Sequence, residues 1–261
     1  IAIAGAEFVV SVDDTVAPLN RAIRLRAGSR VRFGARRLGA RAYLAVEGGI
    51  ETPVLFGSRA THVGSRMGGI DGRPLAAGDR IPLGERRPTR ARPPSLREAF
   101  RDVASRRTVL SLFADRLEWD GARLAGRVRV LAGSQLSLFT GEAVERLQTA
   151  RYSITTESSR MGYRLEGPAL ETAGPVTMIS EATPLGSIQV PPSGQPILLM
   201  ADRQTTGGYP KVAVVIAADI AVAGQLAPGD TIQCEFVTLH EALAALVAEE
   251  RRLMAIEGCT A

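Results

Sequence analysis

For most of the chain, apolar residues come in short runs divided by glycine, proline and aspartate, and only two stretches carry the spacing of a helix. "IAIAGAEFVV" opens the sequence, followed by "RVRFG", "RAYLAVEGG" and "DRIPLG", each rich in β-branched or aromatic residues and each ending on a turn residue. A second set, "GRVRVLAG", "PVTMISEA", "QPILLMAD" and "PKVAVVIAADI", follows the same rule. The helical exceptions begin with capping boxes. Ser95 with Glu98 opens "SLREAFRDVASRR", and Thr238 with Glu241 opens "TLHEALAALVAEERRLMAIEG". The latter has apolar residues at 239, 243, 246, 247, 253 and 254 and closes on Gly258, which predicts a C-terminal amphipathic helix packed on one face. The pattern predicts a protein that is mainly β with a few helices.

The opening run stops at Asp13, about half the ~20 residues that a membrane span needs, and lacks the flanks of a leader. It reads as a buried strand of a cytoplasmic protein, with no membrane partner. The first residue is Ile1, so the natural N-terminus is expected to lie upstream.

One motif recurs. "LRAGSRV" (25–31), "LAAGDRI" (75–81) and "LAPGDTI" (226–232) share Leu-x-x-Gly-[Ser/Asp]-x-[Val/Ile], a glycine turn that feeds a strand. A generic hairpin turn explains each one. Three copies favour a pair of related β-barrel-like domains.

Composition adds a boundary. The chain has 261 residues, 45% hydrophobic and 23% charged, enough for a sizeable core, and a net charge of +5. Most of that surplus lies in "ERRPTRARPPSLREAFR", a proline-rich arginine run with no aromatic interleaving, which reads as a solvated linker and argues against a nucleic-acid partner. The expected organisation is an N-terminal β-barrel-like domain over 1–92, a helix and variable linker over 93–125, and a C-terminal domain over 126–261 that ends in a helix. Cys234 and Cys259 have no metal or redox spacing, and His62 and His240 are too few for a metal site, so no metal centre is expected.

Candidate chemistry concentrates in "ADRQTTGGYPK" (201–211). Of 32 lysine and arginine residues in the chain, one is a lysine, Lys211. Arginine does not give up its proton in proteins and is a planar fork, whereas lysine is a point charge whose protonation responds to burial. A lone lysine among arginines therefore suggests a task that arginine cannot do, against the alternative of a chance survivor. Around it stand Asp202, Arg203, Gln204, Thr205, Thr206 and Tyr209, with Gly207 and Gly208 allowing close backbone approach. The stretch is no phosphate-binding loop, since Pro210 removes an N–H and the spacing differs.

A second constellation, "SSRMGYRLEGP" (158–168), offers Arg160, Tyr163, Arg164 and Glu166. In an extended chain Arg160, Arg164 and Glu166 share one side, either as an oxyanion clamp with its own counter-charge or as a surface ladder of ion pairs. "GSIQVPPSGQP" (186–196) reads as a strand ended by two prolines and carries Gln189. "LFGSRATHVGSRMGGIDGR" (55–73), with Ser58 and Arg59 at its head, reads as a long ordered loop.

Taken in order, "YLAVEGGI", "GSRAT", "GGIDGRPLAAGD", "SRMGYRLEGPAL", "GSIQVPPSGQP" and "ADRQTTGGYPK" closely resemble the allophanate hydrolase subunit 2 family, which includes the C component of 5-oxoprolinase and is also known as KipA-like or biotin-dependent carboxyltransferase proteins. The resemblance runs from about residue 20 to 236. It implies two cyclophilin-like β-barrel domains and a partner protein related to the KipI kinase inhibitor. The family's N-terminal segment is absent from this chain, residues 102–125 match no family pattern, and "SSRMGYR" replaces the commoner "SNRMGYR".

Three activities follow from the resemblance. The first is the C component of an ATP-dependent 5-oxoprolinase, a hydrolase of a cyclic amide acting with a KipI-like B component and a lactam-hydrolase-type A component, with ATP and magnesium bound either by this chain or by the complex. Arg160, Arg164, Arg203 and Lys211 would clamp oxyanions, and Asp202 or Glu166 would hold a metal or move a proton. The alternative is a carboxyltransferase in biotin-dependent urea degradation, which needs biotin and uses the same residues. The third is an antagonist of a KipI-type inhibitor. Under the first two, Arg160, Tyr163, Gln189, Asp202, Gln204, Tyr209 and Lys211 are expected to converge on one cleft.

Overall fold

The computed structural model describes residues 1–85, 116–119 and 123–257. The capping box at Ser95 and the arginine-rich run lie outside the described residues, as does Cys259. The chain forms two compact units, one of Ile1–Gly5, Val9–Ala35 and Ala42–Arg107 and the other of Ala6–Phe8, Arg36–Arg41 and Thr108–Ala261.

The first unit is built on β1 (Ala2–Val12), β2 (Thr15–Val16) and β3 (Val31–Ala45), in the sheet order β2-β1-β3. β1 turns into β2 through Asp13 and Asp14, both at positive φ (48° and 64°), the backbone that a two-residue hairpin with right-handed twist requires. Ile3, Val10, Val12, Ala17 and Ile23 are buried. The two runs "RVRFG" and "RAYLA" are one continuous strand. "DRIPLG", expected as a strand, contributes a single bridge from Leu83 to Ile50.

The second unit is a closed barrel. Its strands are β4 (Leu117–Trp119), β5 (Leu124–Ala132), β6 (Tyr152–Ile154), β7 (Gly162–Glu166), β9 (Ser187–Gln189), β10 (Ile197–Leu199), β12 (Lys211–Val215) and β13 (Thr231–Phe236). They run in the order β12-β9-β10-β7-β6-β13-β5-β4, and a further pairing of β12 with β5 closes seven of them into a ring. β13 runs parallel to β5, inserted between β5 and β6. Alternation sets the inside: Leu124, Val128 and Val130 of β5 point into a core shared with Ile188, Leu198, Val212 and Ile232. "PVTMISEA", expected as a full strand, yields only β8 (Glu181–Ala182), which pairs outside the ring with β11 (Thr206–Gly207).

Three α-helices are described. α1 (Gly141–Thr149) is capped by Thr140, whose Oγ1 accepts from the Ala143 N–H at 3.1 Å, and it buries Ala143 and Leu147. α2 (Ile220–Gly224) packs on β5. α3 (Leu239–Glu257) begins with the expected capping box: the Glu241 carboxylate accepts from the N–H and hydroxyl of Thr238 at 2.7 and 2.8 Å. Its packed face corrects the expectation. Leu239, Leu243, Val247, Leu253 and Met254 are exposed, while Ala242 and Ala245 lie against Ile216, Ala218, Leu131 and Val237. The small side chains allow the helix to lie close to a narrow patch, and the large ones other than the half-buried Leu246 are left outside. Among the described residues no helix is long and apolar enough to cross a membrane.

The repeated motif is one turn built three times. In each copy the glycine has positive φ (84° at Gly28, 90° at Gly78, 89° at Gly229), and the next residue's N–H donates to the carbonyl three positions back. Its side chain returns the bond by accepting an N–H: Arg26 to Ser29 at 3.3 Å, Ala76 to Asp79 at 2.6 Å, Ala227 to Asp230 at 2.8 Å.

The Arg36–Arg41 stretch of β3 is stitched to the barrel by polar contacts. Arg36 pairs with Asp230, Gln225 Oε1 accepts from the Ala40 and Arg41 N–H groups at 3.0 and 3.1 Å, and Leu38 packs against the barrel core. Gly39 (φ 71°) is required here, because a Cβ would lie 2.6 Å from that Gln225 oxygen.

Candidate active site

Lys211 begins β12 with its side chain turned inward, and the residue is 3% exposed. Burial of an ammonium is costly without a partner. The partner is Glu181 of β8, whose carboxylate Oε1 accepts from Lys211 Nζ. Gln135 braces both: its Nε2 donates to Glu181 Oε1 at 2.6 Å, and its Oε1 accepts from the Lys211 backbone N–H at 3.1 Å. The Lys211 hydrogen bond, and after it the Gln135 hydrogen bond, hold the Glu181 carboxyl below its ordinary range. Gly133 makes this arrangement possible, because a Cβ there would stand 2.1 Å from the Lys211 carbonyl oxygen.

Gln189, 1% exposed, is the register partner of Lys211 on β9, and its Nε2 donates to the Tyr209 carbonyl at 3.4 Å. Gly207 approaches it so closely that a Cβ would lie 2.7 Å from Gln189 Nε2, which explains the glycine. Thr183, also buried, fastens the loop: its Oγ1 donates to the Gln204 carbonyl at 2.5 Å, its N–H to Thr205 at 3.0 Å, and its carbonyl accepts from Arg203 Nε at 2.8 Å. Thr205, Thr206, Gly208 and the Tyr209 ring remain exposed along the rim.

Asp202 is spoken for. Its carboxylate takes Arg160 Nε at 2.8 Å, and its N–H donates to the Arg160 carbonyl at 2.9 Å, so the "SSRMGYR" turn is docked on the 200–206 loop. This pair reaches the Lys211 group through the loop itself, from Asp202 to Arg203 and on to Thr183. Among the described residues no direct hydrogen bond or ion pair joins Arg160 or Asp202 to Lys211.

The other candidates separate. Tyr163 lies in the barrel core, its hydroxyl donating to the Leu226 carbonyl at 3.3 Å under the Arg41 guanidinium, and burial pushes its ionisation up. Arg164 and Glu166 are on the outer face of β7, where Arg164 meets Glu157 at 3.5 Å rather than Glu166, so the surface-ladder reading fits better than the clamp. Ser58 and Arg59 belong to the first unit. There Ser58 Oγ accepts from the Ala60 N–H at 3.1 Å, and Arg59 donates to the Thr52 carbonyl while Thr52 Oγ1 donates to the Arg59 carbonyl at 2.8 Å. His62 caps a 3-10 turn, its Nδ1 accepting from Ser65 N–H at 3.2 Å.

Two residues of the site escape sequence reasoning. Glu181 is hidden in "PVTMISEA", where its one signal is an acid at the end of an apolar run. Gln135 follows β5 by three residues and has no local signal.

The family model for the carboxyltransferase domain, subdomain A and B, matches residues 1–236. Among curated proteins, the C component of 5-oxoprolinase from Haemophilus influenzae is 35% identical over 92% of this chain and 70% of its own length. The Escherichia coli protein of the same name is 33% identical over 96% of this chain and 73% of its own. Among solved structures, the K. lactis urea amidolyase superposes with a TM-score of 0.74 at 26% identity over 92% of this chain. The chain spans only 15% of that much longer protein.

Proposed function

The chain belongs to the carboxyltransferase subdomain A and B family, and from that premise we propose that it is the C component of an ATP-dependent 5-oxoprolinase, which converts 5-oxo-L-proline, ATP and water to glutamate. It acts in the cytoplasm with a KipI-like B component and a lactam-hydrolase-type A component. Two relatives that bear the name of the 5-oxoprolinase C component support this place in the complex.

The observation that carries the chemical part is the buried Lys211 side chain, with one carboxylate partner among the described residues, at the rim of a polar, glycine-lined loop. A lactam resists hydrolysis until negative charge develops on its oxygen, and a desolvated ammonium stabilises such charge far better than an exposed one. Arg203, Gln204, Thr205, Thr206 and Tyr209 border the same loop and supply further donors for substrate and phosphoryl oxygens. Among the described residues no three histidine, cysteine or acidic side chains gather as a metal clamp. We propose that ATP is bound by the complex rather than by this chain alone.

A second reading rests on the likeness to urea amidolyase: transfer of a carboxyl group from carboxybiotin to urea, with Lys211 on the same oxygen. Reconstitution decides between them. The chain is co-expressed with its two partner proteins, and glutamate release from 5-oxo-L-proline and ATP is measured beside bicarbonate fixation on urea in the presence of a biotin carboxylase and carrier. Glutamate release is expected. A complex that fixes carbon on urea and leaves 5-oxo-L-proline untouched would sink the first reading.

A further inference from the structure

The sequence points to Asp202 and Glu166 as the acids of this site, and the structure engages the first with Arg160 and puts the second on the outer face of β7. The acid left beside Lys211 is Glu181. Its Oε1 holds Lys211 and Gln135, whereas its Oε2 takes no hydrogen bond from the described residues, and 42% of the side chain is open to solvent. The Lys211 side chain is 4% exposed and its ammonium donates to Glu181, so that among the described residues two of its three N–H bonds have no acceptor. A buried cation with spare donors next to a carboxylate with a spare oxygen is a matched pair: one group can receive an oxygen that gains charge, the other a proton.

We infer that Glu181, oriented by Gln135, is the proton acceptor of this site and that its substrate is an amide N–H. The inference rests on the function proposed above and applies equally to the lactam and the urea reading, because both substrates carry a carbonyl flanked by N–H. In the step, the N–H bond breaks and its proton goes to Glu181 Oε2, giving a carboxylic acid. The freed electron pair moves through the C–N bond onto the carbonyl oxygen, and the Lys211 ammonium holds the resulting oxyanion. The exposed edge of Glu181 then returns the proton to solvent. Gln135 is a positioning residue, since its amide holds Glu181 and the Lys211 backbone rather than the reacting atoms.

The chain's single lysine makes the pair directly observable. An amine-reactive ester followed by peptide mass spectrometry reports Lys211 with no other side-chain amine present. On the isolated chain at constant pH, Glu181→Gln keeps the shape and removes the carboxylate that holds the amine, so labelling of Lys211 should quicken about tenfold. Equal labelling of the two proteins would overturn the pair. In the reconstituted complex, Glu181→Gln should lower kcat by about 100- to 1000-fold with KM nearly unchanged, and Glu181→Asp should fall between. The acidic limb of the pH–rate profile should vanish in Glu181→Gln. Full turnover by Glu181→Gln would overturn the proton role. A native complex that turns over neither substrate would refute the proposed function instead, and the labelling result on the free chain would then decide the pair by itself.

Discussion

Arg36 and Asp230 are 194 positions apart, and the guanidinium grips the carboxylate with two parallel bonds of 2.9 and 2.6 Å. Asp230 is 1% exposed and accepts two more bonds, from the N–H groups of Leu124 and Ala227 at 3.0 and 2.8 Å. It thereby ties the third copy of the turn motif, β5 and the middle of β3 together. Replacing Asp230 by Ala strands the guanidinium and two backbone donors, a loss of about 3–5 kcal/mol for a buried pair. Urea denaturation should show the midpoint falling accordingly, and an unchanged midpoint would refute the pinning role.

Lys211→Arg tests whether charge alone suffices at the candidate site. A planar fork does not fit where one amine meets Glu181 beside the backbone of Gly133. The complex should lose about 100-fold in kcat, roughly 3 kcal/mol of transition-state stabilisation, while its members co-elute in size exclusion as before. Wild-type turnover would reduce Lys211 to a simple cation.

Gly133→Ala reaches the same lysine through the backbone. A Cβ 2.1 Å from the Lys211 carbonyl must displace β5 or β12 where they close the barrel. The expected cost is about 1–3 kcal/mol, with faster acylation of Lys211 in the variant. An alanine accepted without change in either readout would show that the strands give way freely.

Alkaline pH should unfold the protein through its core. Burial pushes the Cys234 thiol from 9.0 up to about 12, and burial does the same to Tyr152, from 10.0 to about 12. The unfolded chain releases these protons first, so it binds fewer protons than the native state between pH 9 and about 12, and stability falls as pH rises through that window. Thermal melts at stepped pH measure the slope. Cys234→Ala should make it shallower, and an identical slope would exclude the thiol as a source.

Leu243 and Val247 stand about half exposed on the outer stripe of α3 (53% and 49%), so Leu243→Lys and Val247→Lys should each change stability by less than about 0.5 kcal/mol. Ala242→Glu, on the packed face, should lower the melting temperature clearly. The reverse ranking would mean that the helix turns its large residues toward the barrel in solution.

These contrasts show what the chain discloses in advance. Short apolar runs bounded by turn residues reveal β5 and β12, and the Thr238–Glu241 box locates α3 to the residue, because both signals are local. The turn motif at Gly28, Gly78 and Gly229 is legible as a repeat for the same reason. The face that α3 packs is not, since hydrophobicity favours Leu243 while the narrow patch on the barrel admits only Ala242. Lys211 stands out by composition. Its partners do not: Glu181 and Gln135 meet it through the pairing of β8 with β11 and the bend after β5, relations that sequence spacing does not encode.

The insertion of β13 between β5 and β6 bears on how the molecule is made. Of the seven neighbouring pairs in the ring only β6–β7 and β9–β10 join strands that are consecutive along the chain, and the gap between residues 132 and 152 in the wall is filled by residues 231–236. A nascent chain emerging from the ribosome therefore carries two unpaired strand edges until nearly the whole barrel has been synthesised. Those edges are apolar on the inward side and open to any passing strand. Expression yield should hinge on the speed of translation over the last few dozen residues and on chaperones that shield β5 and β6 until their missing neighbour arrives.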